Sequence, residues 1–162
     1  MASEVVAGFV PGLIGEVVAL HGTYYAREWD LPVLFEAYVA KGLAEFVPRF
    51  APGRDGAWSV REEGRLAAFV AVDLGAGPGL AQVRWFIADP AVQGRGLGGR
   101  LLDLALAHCR AQGVSEVFLW TMPGLRAART LYERAGFVLA EEAVDSRYGR
   151  ELPSHRLVLR LG

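Results

Sequence analysis

The run Gln93-Gly94-Arg95-Gly96-Leu97-Gly98-Gly99 constrains this chain most, because it stands between an apolar strand-like segment and a long amphipathic helix. Glycine lets successive backbone N–H groups turn toward one point with no Cβ atoms in the way. Together with the positive end of the helix that follows, those donors form an anion site, and a pyrophosphate is its natural guest. Arg95 and Arg100 stand where they can add charge.

Two ligand classes suit such a loop. Gly94, Gly96 and Gly99 satisfy the dinucleotide fingerprint G-x-G-x-x-G. That fingerprint sits directly after the first strand of a βαβ unit, with an acidic residue about 20 positions on. Here residues 89–93 separate strand from glycine, and the next strand ends Leu119-Trp120-Thr121 without a carboxylate. Roughly 60 residues follow, too few for the two-halved dinucleotide fold. A Walker loop is excluded, since no Gly-Lys-Ser/Thr follows.

Around this loop the periodicity predicts a strand over Glu4–Val10, a helix over Leu13–Arg27 and another over Leu31–Val47. Strands follow at Ala57–Arg61, Leu66–Asp73 and Leu80–Ala88, with turns at Glu63-Gly64 and residues 75–79. The helix beginning at Leu101 closes at Gly113, and Val114–Thr121 reads as a strand. A helix over Leu125–Ala135 capped by Gly136 precedes two last strands, Phe137–Val144 and His155–Leu161. Strands grouped early, then alternating with helices, give an α/β fold: one domain over residues 1–162 with a mixed sheet and helices on both faces.

Composition limits the partners. The chain has 17 basic and 18 acidic residues among 162, so nothing draws the whole molecule to nucleic acid or to an anionic membrane. The apolar start is interrupted by Gly8, Pro11, Gly12, Gly15 and Glu16, which excludes a spanning or targeting segment. Cys109 is the only cysteine and reads as a packed thiol in a helix. His21, His108 and His155 lie far apart, so no metal site is expected, and the expected compartment is the cytoplasm.

Gln93-x-x-Gly96-x-Gly98, between a strand ending Ile87-Ala88-Asp89-Pro90 and Leu101-Leu102, resembles the coenzyme A motif of GNAT acyltransferases. A second family segment is in register: Leu119-Trp120-Thr121, then Ala128-Arg129-x-Leu131-Tyr132-Glu133-Arg134-Ala135-Gly136-Phe137. Residues 20–46 and the final strand are similar to the GNAT domain found fused behind MarR-type DNA-binding domains, here expected to stand alone. The resemblance implies a GNAT-type mixed sheet of about six or seven strands with splayed parallel strands at its centre. It also implies transfer of an acetyl group from acetyl-CoA directly to a primary amine, with a small-molecule acceptor and the option of a homodimer. A departure is Leu125, where many members place an Asn that contacts the pantetheine arm.

By that resemblance Phe86, Ile87 and Ala88 lie along the pantetheine, and an N–H near Phe86 or Ile87 polarises the thioester carbonyl. Gln93, Gly94, Arg95, Gly96, Leu97, Gly98 and Gly99 hold the pyrophosphate, and Arg126 and Arg129 are the candidates to replace the Asn contact to the pantetheine arm. Tyr132 is the expected general acid for the departing sulfur, since a phenol of pKa about 10 stays protonated at neutral pH. Its position beside Leu131 also suits simple packing. Tyr25, Glu28 and Glu36 are acceptor-site candidates, with His21 beside them as a further candidate base. Two other functions fit parts of the pattern: a non-catalytic acetyl-CoA sensor, and a nucleotide-dependent oxidoreductase built on G-x-G-x-x-G.

Overall fold

The computed structural model describes residues 3–162. In chain order the elements are β1 (Val5–Ala7), α1 (Leu13–Trp29), α2 (Val33–Phe46), β2 (Gly56–Glu62), β3 (Arg65–Gly77) and β4 (Leu80–Ala88). After these come α3 (Leu97–Ala111), β5 (Glu116–Thr121), α4 (Arg126–Ala135), β6 (Val138–Asp145) and β7 (Leu152–Arg160). The strands form one seven-stranded sheet in the order β1-β2-β3-β4-β5-β7-β6. Every neighbouring pair is antiparallel except β4–β5.

Both faces of the sheet are covered, and β3 shows it most directly. Phe69 and Val70 are adjacent, point to opposite faces and are both fully buried. On one face Val70, Val72 and Val83 pack with Leu101, Leu102 and Leu106 of α3 and with Tyr132 of α4. On the other, Phe69, Ala71 and Ile87 pack with Leu13 and Val17 of α1 and with Phe35, Val39, Leu43 and Phe46 of α2. This is the mixed sheet with helices on both faces that the sequence implies.

Local chemistry sets where elements stop. Asp30 takes a left-handed conformation (φ 54°) and Pro32 is extended, so the long helical stretch divides into α1 and α2 at residues 30–32. Gly136 (φ 103°) ends α4, with Phe137 N donating back to Tyr132 O at 3.0 Å. β1 is shorter than the alternation predicts because the chain turns away at Gly8 (φ 86°), carrying Phe9 against Phe46, Phe50 and Phe69. α3 begins at Leu97 rather than Leu101, so Gly98 and Gly99 lie inside its first turn. β7 starts at Leu152; Pro153 is tolerated because that end pairs only with β6. No helix among the described residues is long and apolar enough to cross a membrane.

Candidate active site

The parallel pair β4–β5 holds over only three positions, Leu80↔Glu116 to Gln82↔Phe118. Beyond Gln82 the strands part, and a cleft of about 1240 Å³ fills the gap. That exceeds the roughly 300–1,000 Å³ of an ordinary small-ligand pocket and leaves room for two reactants. A β-bulge accompanies the parting. Phe69 pairs with Ile87 and Ala71 with Arg84, so Trp85 and Phe86 share the place opposite Val70. Trp85 carries the strain, with φ 51° in a region that L-residues avoid.

The bulge determines which backbone groups face the opening. Asp89 N donates to Ala67 O at 2.8 Å, so the alternation of an antiparallel ladder directs Ile87 toward β3 as well. Phe86 and Ala88 then present their N–H and C=O edges to the parted side. In agreement, the Ala88 carbonyl accepts from Gln93 Nε2 at 3.2 Å. The sequence reading allowed Phe86 or Ile87 for the polarising N–H; the ladder favours Phe86.

The glycine loop closes one end of the cleft. Gly94 (φ 87°) and Gly96 (φ 78°) are left-handed, with Gly96 the N-cap of α3. The first turn of α3 leaves the N–H groups of Leu97, Gly98 and Gly99 without helical partners, and these three residues line the cleft. Gly98 is held between neighbours: a Cβ there would stand 3.2 Å from a Leu131 methyl and 3.4 Å from the Phe86 ring.

Tyr132 stands on α4 at the same cleft, packed against Phe86 and Phe137 at ring separations of 5.9 and 5.8 Å. Burial raises its hydroxyl pKa well above the ordinary phenol value, and nearby Tyr25 adds to the shift. Across the opening, α1 and α2 supply His21, Tyr24, Tyr25, Glu28, Phe35 and Tyr38. The His21 Nδ1 lies 2.9 Å from Val17 O, and burial pulls its pKa down to about 4, so the ring is neutral with Nδ1 donating.

Gln93, Gly94, Gly96, Leu97, Gly98, Gly99, Phe86, Ile87, Ala88, Tyr132, Tyr25 and Glu28 all line this one cleft. Three of the sequence candidates stand elsewhere. Arg95 pairs with Glu62 on β2, and Arg129 turns to Glu133 and His155. Glu36 packs against Gly22 where α1 crosses α2. Arg126, the other candidate beside Leu125, lines the cleft, and so does Arg134, which the sequence did not single out. The helical period identifies them: residues 126, 130 and 134 recur at four-residue steps on one side of α4.

The sequence reading also missed a polar cluster at the base of the parting. Asp73, buried in the second half of β3, accepts from Arg49 through two bonds of 2.8 and 2.6 Å, from Gly75 N at 2.8 Å and from Arg84 at 3.2 Å. Burial alone would raise the Asp73 carboxyl pKa; the Arg49 and Gly75 bonds outweigh that and hold it below the usual range. Among the described residues no group of His, Cys, Asp or Glu side chains is arranged to hold a metal ion.

The model of the acetyltransferase (GNAT) family matches residues 23–137. A mycothiol acetyltransferase of Streptomyces avermitilis is 30% identical over 137 residues, 84% of this chain and 43% of that protein. The mycothiol acetyltransferase of Mycobacteroides abscessus is 41% identical over 73 residues, 45% of this chain and 24% of that protein. The chain therefore spans less than half the length of these curated relatives. Among solved structures, a GNAT-family acetyltransferase from Staphylococcus aureus superposes with TM-score 0.77 at 12% identity, covering 99% of this chain and 100% of that one. The ribosomal-protein-S18-alanine N-acetyltransferase from Escherichia coli superposes with TM-score 0.68 at 19% identity, covering 98% and 95%. At these identities the likeness concerns the fold alone.

Proposed function

The chain belongs to the acetyltransferase (GNAT) family, and on that premise we propose that it transfers an acetyl group from acetyl-coenzyme A directly to the primary amine of a small molecule. The observation that carries the reading is the parting of β4 from β5 beside the glycine loop, with the Tyr132 phenol on the wall of the same cleft. The residues fit an acyl-coenzyme A. Unpartnered amides at the positive end of a fifteen-residue helix suit a pyrophosphate, and the freed edge of β4 suits the amide-bearing arm. When bound, acetyl-CoA supplies an activated acyl carbonyl and a sulfur leaving group.

This chain's own residues do the rest. The Phe86 N–H, fixed by the bulge, donates to oxygen as negative charge develops there. Tyr132 holds a proton throughout the neutral range, because burial makes its phenolate costly. The same low-dielectric setting raises the basicity of a departing thiolate, which favours passage of that proton to sulfur. The aromatic lining from α1 and α2 orients an acceptor on the far side and excludes water. The relatives' name supports acetyl transfer, while the acceptor is argued from the residues of this chain.

The test is a panel of primary amines assayed by release of free coenzyme A thiol, with Tyr132→Phe beside the parent. Turnover at saturating acetyl-CoA should fall by about 100-fold or more in the variant; unchanged turnover removes the acid role. Stabilisation by acetyl-CoA without thiol release for any amine would favour a sensor. Thermal stabilisation by NAD or NADP alone would overturn donor binding.

A further inference from the structure

Two guanidinium groups share one carboxylate on the acceptor side of the cleft. Asp73 is fully engaged: Arg49 occupies both its oxygens, Gly75 N adds a third bond, and Arg84 takes the remaining acceptor position through a single, longer contact of 3.2 Å. Asp145, another acid that lines the cleft, is engaged by Arg147, which donates to both of its oxygens. Arg84 therefore stands half-buried, stacked over the Trp85 ring at 4.1 Å, and among the described residues its one side-chain hydrogen bond is that shared contact to Asp73, which engages one of its five donors. Burial lowers its pKa, as expected for a cation whose partner is already shared. A desolvated, incompletely paired cation on the wall of a ligand cleft is matched by an anionic group on the ligand.

Resting on the transferase reading of this cleft, we propose that the acceptor is an amino-carboxylate whose carboxylate is bound by Arg84. The position of Arg84 on β4 supports this assignment. It lies two residues before Phe86, on the side facing α2, where its guanidinium approaches Gly42. The donor arm runs along the freed edge of β4, so an anion on Arg84 belongs to the second reactant. Binding there holds the acceptor by the end away from its nucleophile, and the planar fork of Arg favours a carboxylate through paired N–H bonds. Arg49 acts as a positioning residue: by occupying both Asp73 oxygens it limits Arg84 to one contact there and leaves its other donors to the ligand.

The experiment compares glycine, β-alanine and 4-aminobutyrate with their carboxamides, and with aminomethylphosphonate. Two readouts are taken: thermal stabilisation of the coenzyme A-loaded protein, and thiol release from acetyl-CoA. At least one acid should stabilise the protein where its amide does not, with a preference of about tenfold or more in concentration. Arg84→Gln should remove that preference without altering stabilisation by coenzyme A, and Arg84→Lys should retain part of it. Equal binding of acid and amide, protection by none of the acids, or an unchanged preference in Arg84→Gln overturns the proposal. A preference for the phosphonate assigns the site to phosphate-type anions and overturns the carboxylate. If Arg84→Gln does not fold, the acid-against-amide comparison on the parent protein decides alone. Acid-selective protection without any thiol release would uphold the anion site and defeat the transferase reading, so the two fail separately.

Discussion

Trp85 gives the sharpest test of the local geometry, because its strain inverts an ordinary rule. In the middle of a strand, glycine is less stable than alanine by roughly 0.5–1 kcal/mol, since it loses more freedom on folding. At φ 51° an L-residue carries a left-handed cost of about 1–2 kcal/mol that glycine escapes. Trp85→Gly and Trp85→Ala lose the same indole contacts with Phe46, Arg84 and Gly42, so the large packing loss cancels between them. What remains should leave the glycine variant the more stable by about 0.7 kcal/mol, or roughly 2 °C in Tm for a chain of this size. Urea denaturation of both variants measures it, with Ser59→Gly and Ser59→Ala on β2 as the pair that obeys the ordinary order. An alanine variant more stable than the glycine variant would refute the strained bulge, and with it the assignment of Phe86 to the parted side.

Gly96→Ala should raise the half-saturating concentration of acetyl-CoA several-fold, because a left-handed alanine costs about 1–2 kcal/mol at the cap that aims the α3 amides; titration by thermal shift reads the change. His21 predicts a pH dependence whose sign follows from its depressed pKa. The unfolded chain binds the proton first, so this stability is present above pH 6.5 and is lost as pH falls toward 4. Between pH 7 and 5 the parent should lose about 2 kcal/mol in urea denaturation, and His21→Leu should lose markedly less over the same interval. Asp55→Ala should cost about 3 kcal/mol, since the buried carboxylate accepts from Ala51 N, Leu74 N and Arg54 and its loss strands both amides; a cost below 1 kcal/mol counts against that role.

What the sequence made legible were features with a strong local cause. The glycine loop, the helices on both faces of the sheet and the Gly136 stop all follow from residue type and period, and each is where periodicity or turn chemistry puts it. The charged contacts were harder to read. The four-residue period of α4 groups Arg126 with Arg134, which line the cleft, but no such period reaches Arg95, whose partner Glu62 lies on β2. Side-chain destinations of this kind depend on which strand lies alongside, and that is fixed by pairings such as Arg61↔Leu66 and Glu62↔Arg65. The Asp73–Arg49–Arg84 cluster joins residues from three separate segments, so no spacing in the chain announces it.

The bulge at Trp85 shows why the centre of the site was the least legible part. Along β4, Val83 faces the α3 side and Arg84 the α2 side, so strict alternation would send Trp85 to α3 and Phe86 to α2. Instead Trp85 packs with the α2 core and Phe86 with the α3 core, one step out of phase. The segment Trp85-Phe86-Ile87-Ala88 is apolar throughout, so its hydrophobic pattern carries no information about phase. That single extra residue distributes the two halves of the proposed chemistry. It turns the Phe86 edge toward the parted side, where the proposed donor arm would run, while keeping Arg84 and Trp85 side by side on the α2 side of the cleft. A strand without the bulge would direct the Phe86 N–H into the β3 ladder and leave nothing to polarise a carbonyl at the opening. On the proposed reading the strain at Trp85 serves the chemistry, and selection for stability alone would remove it.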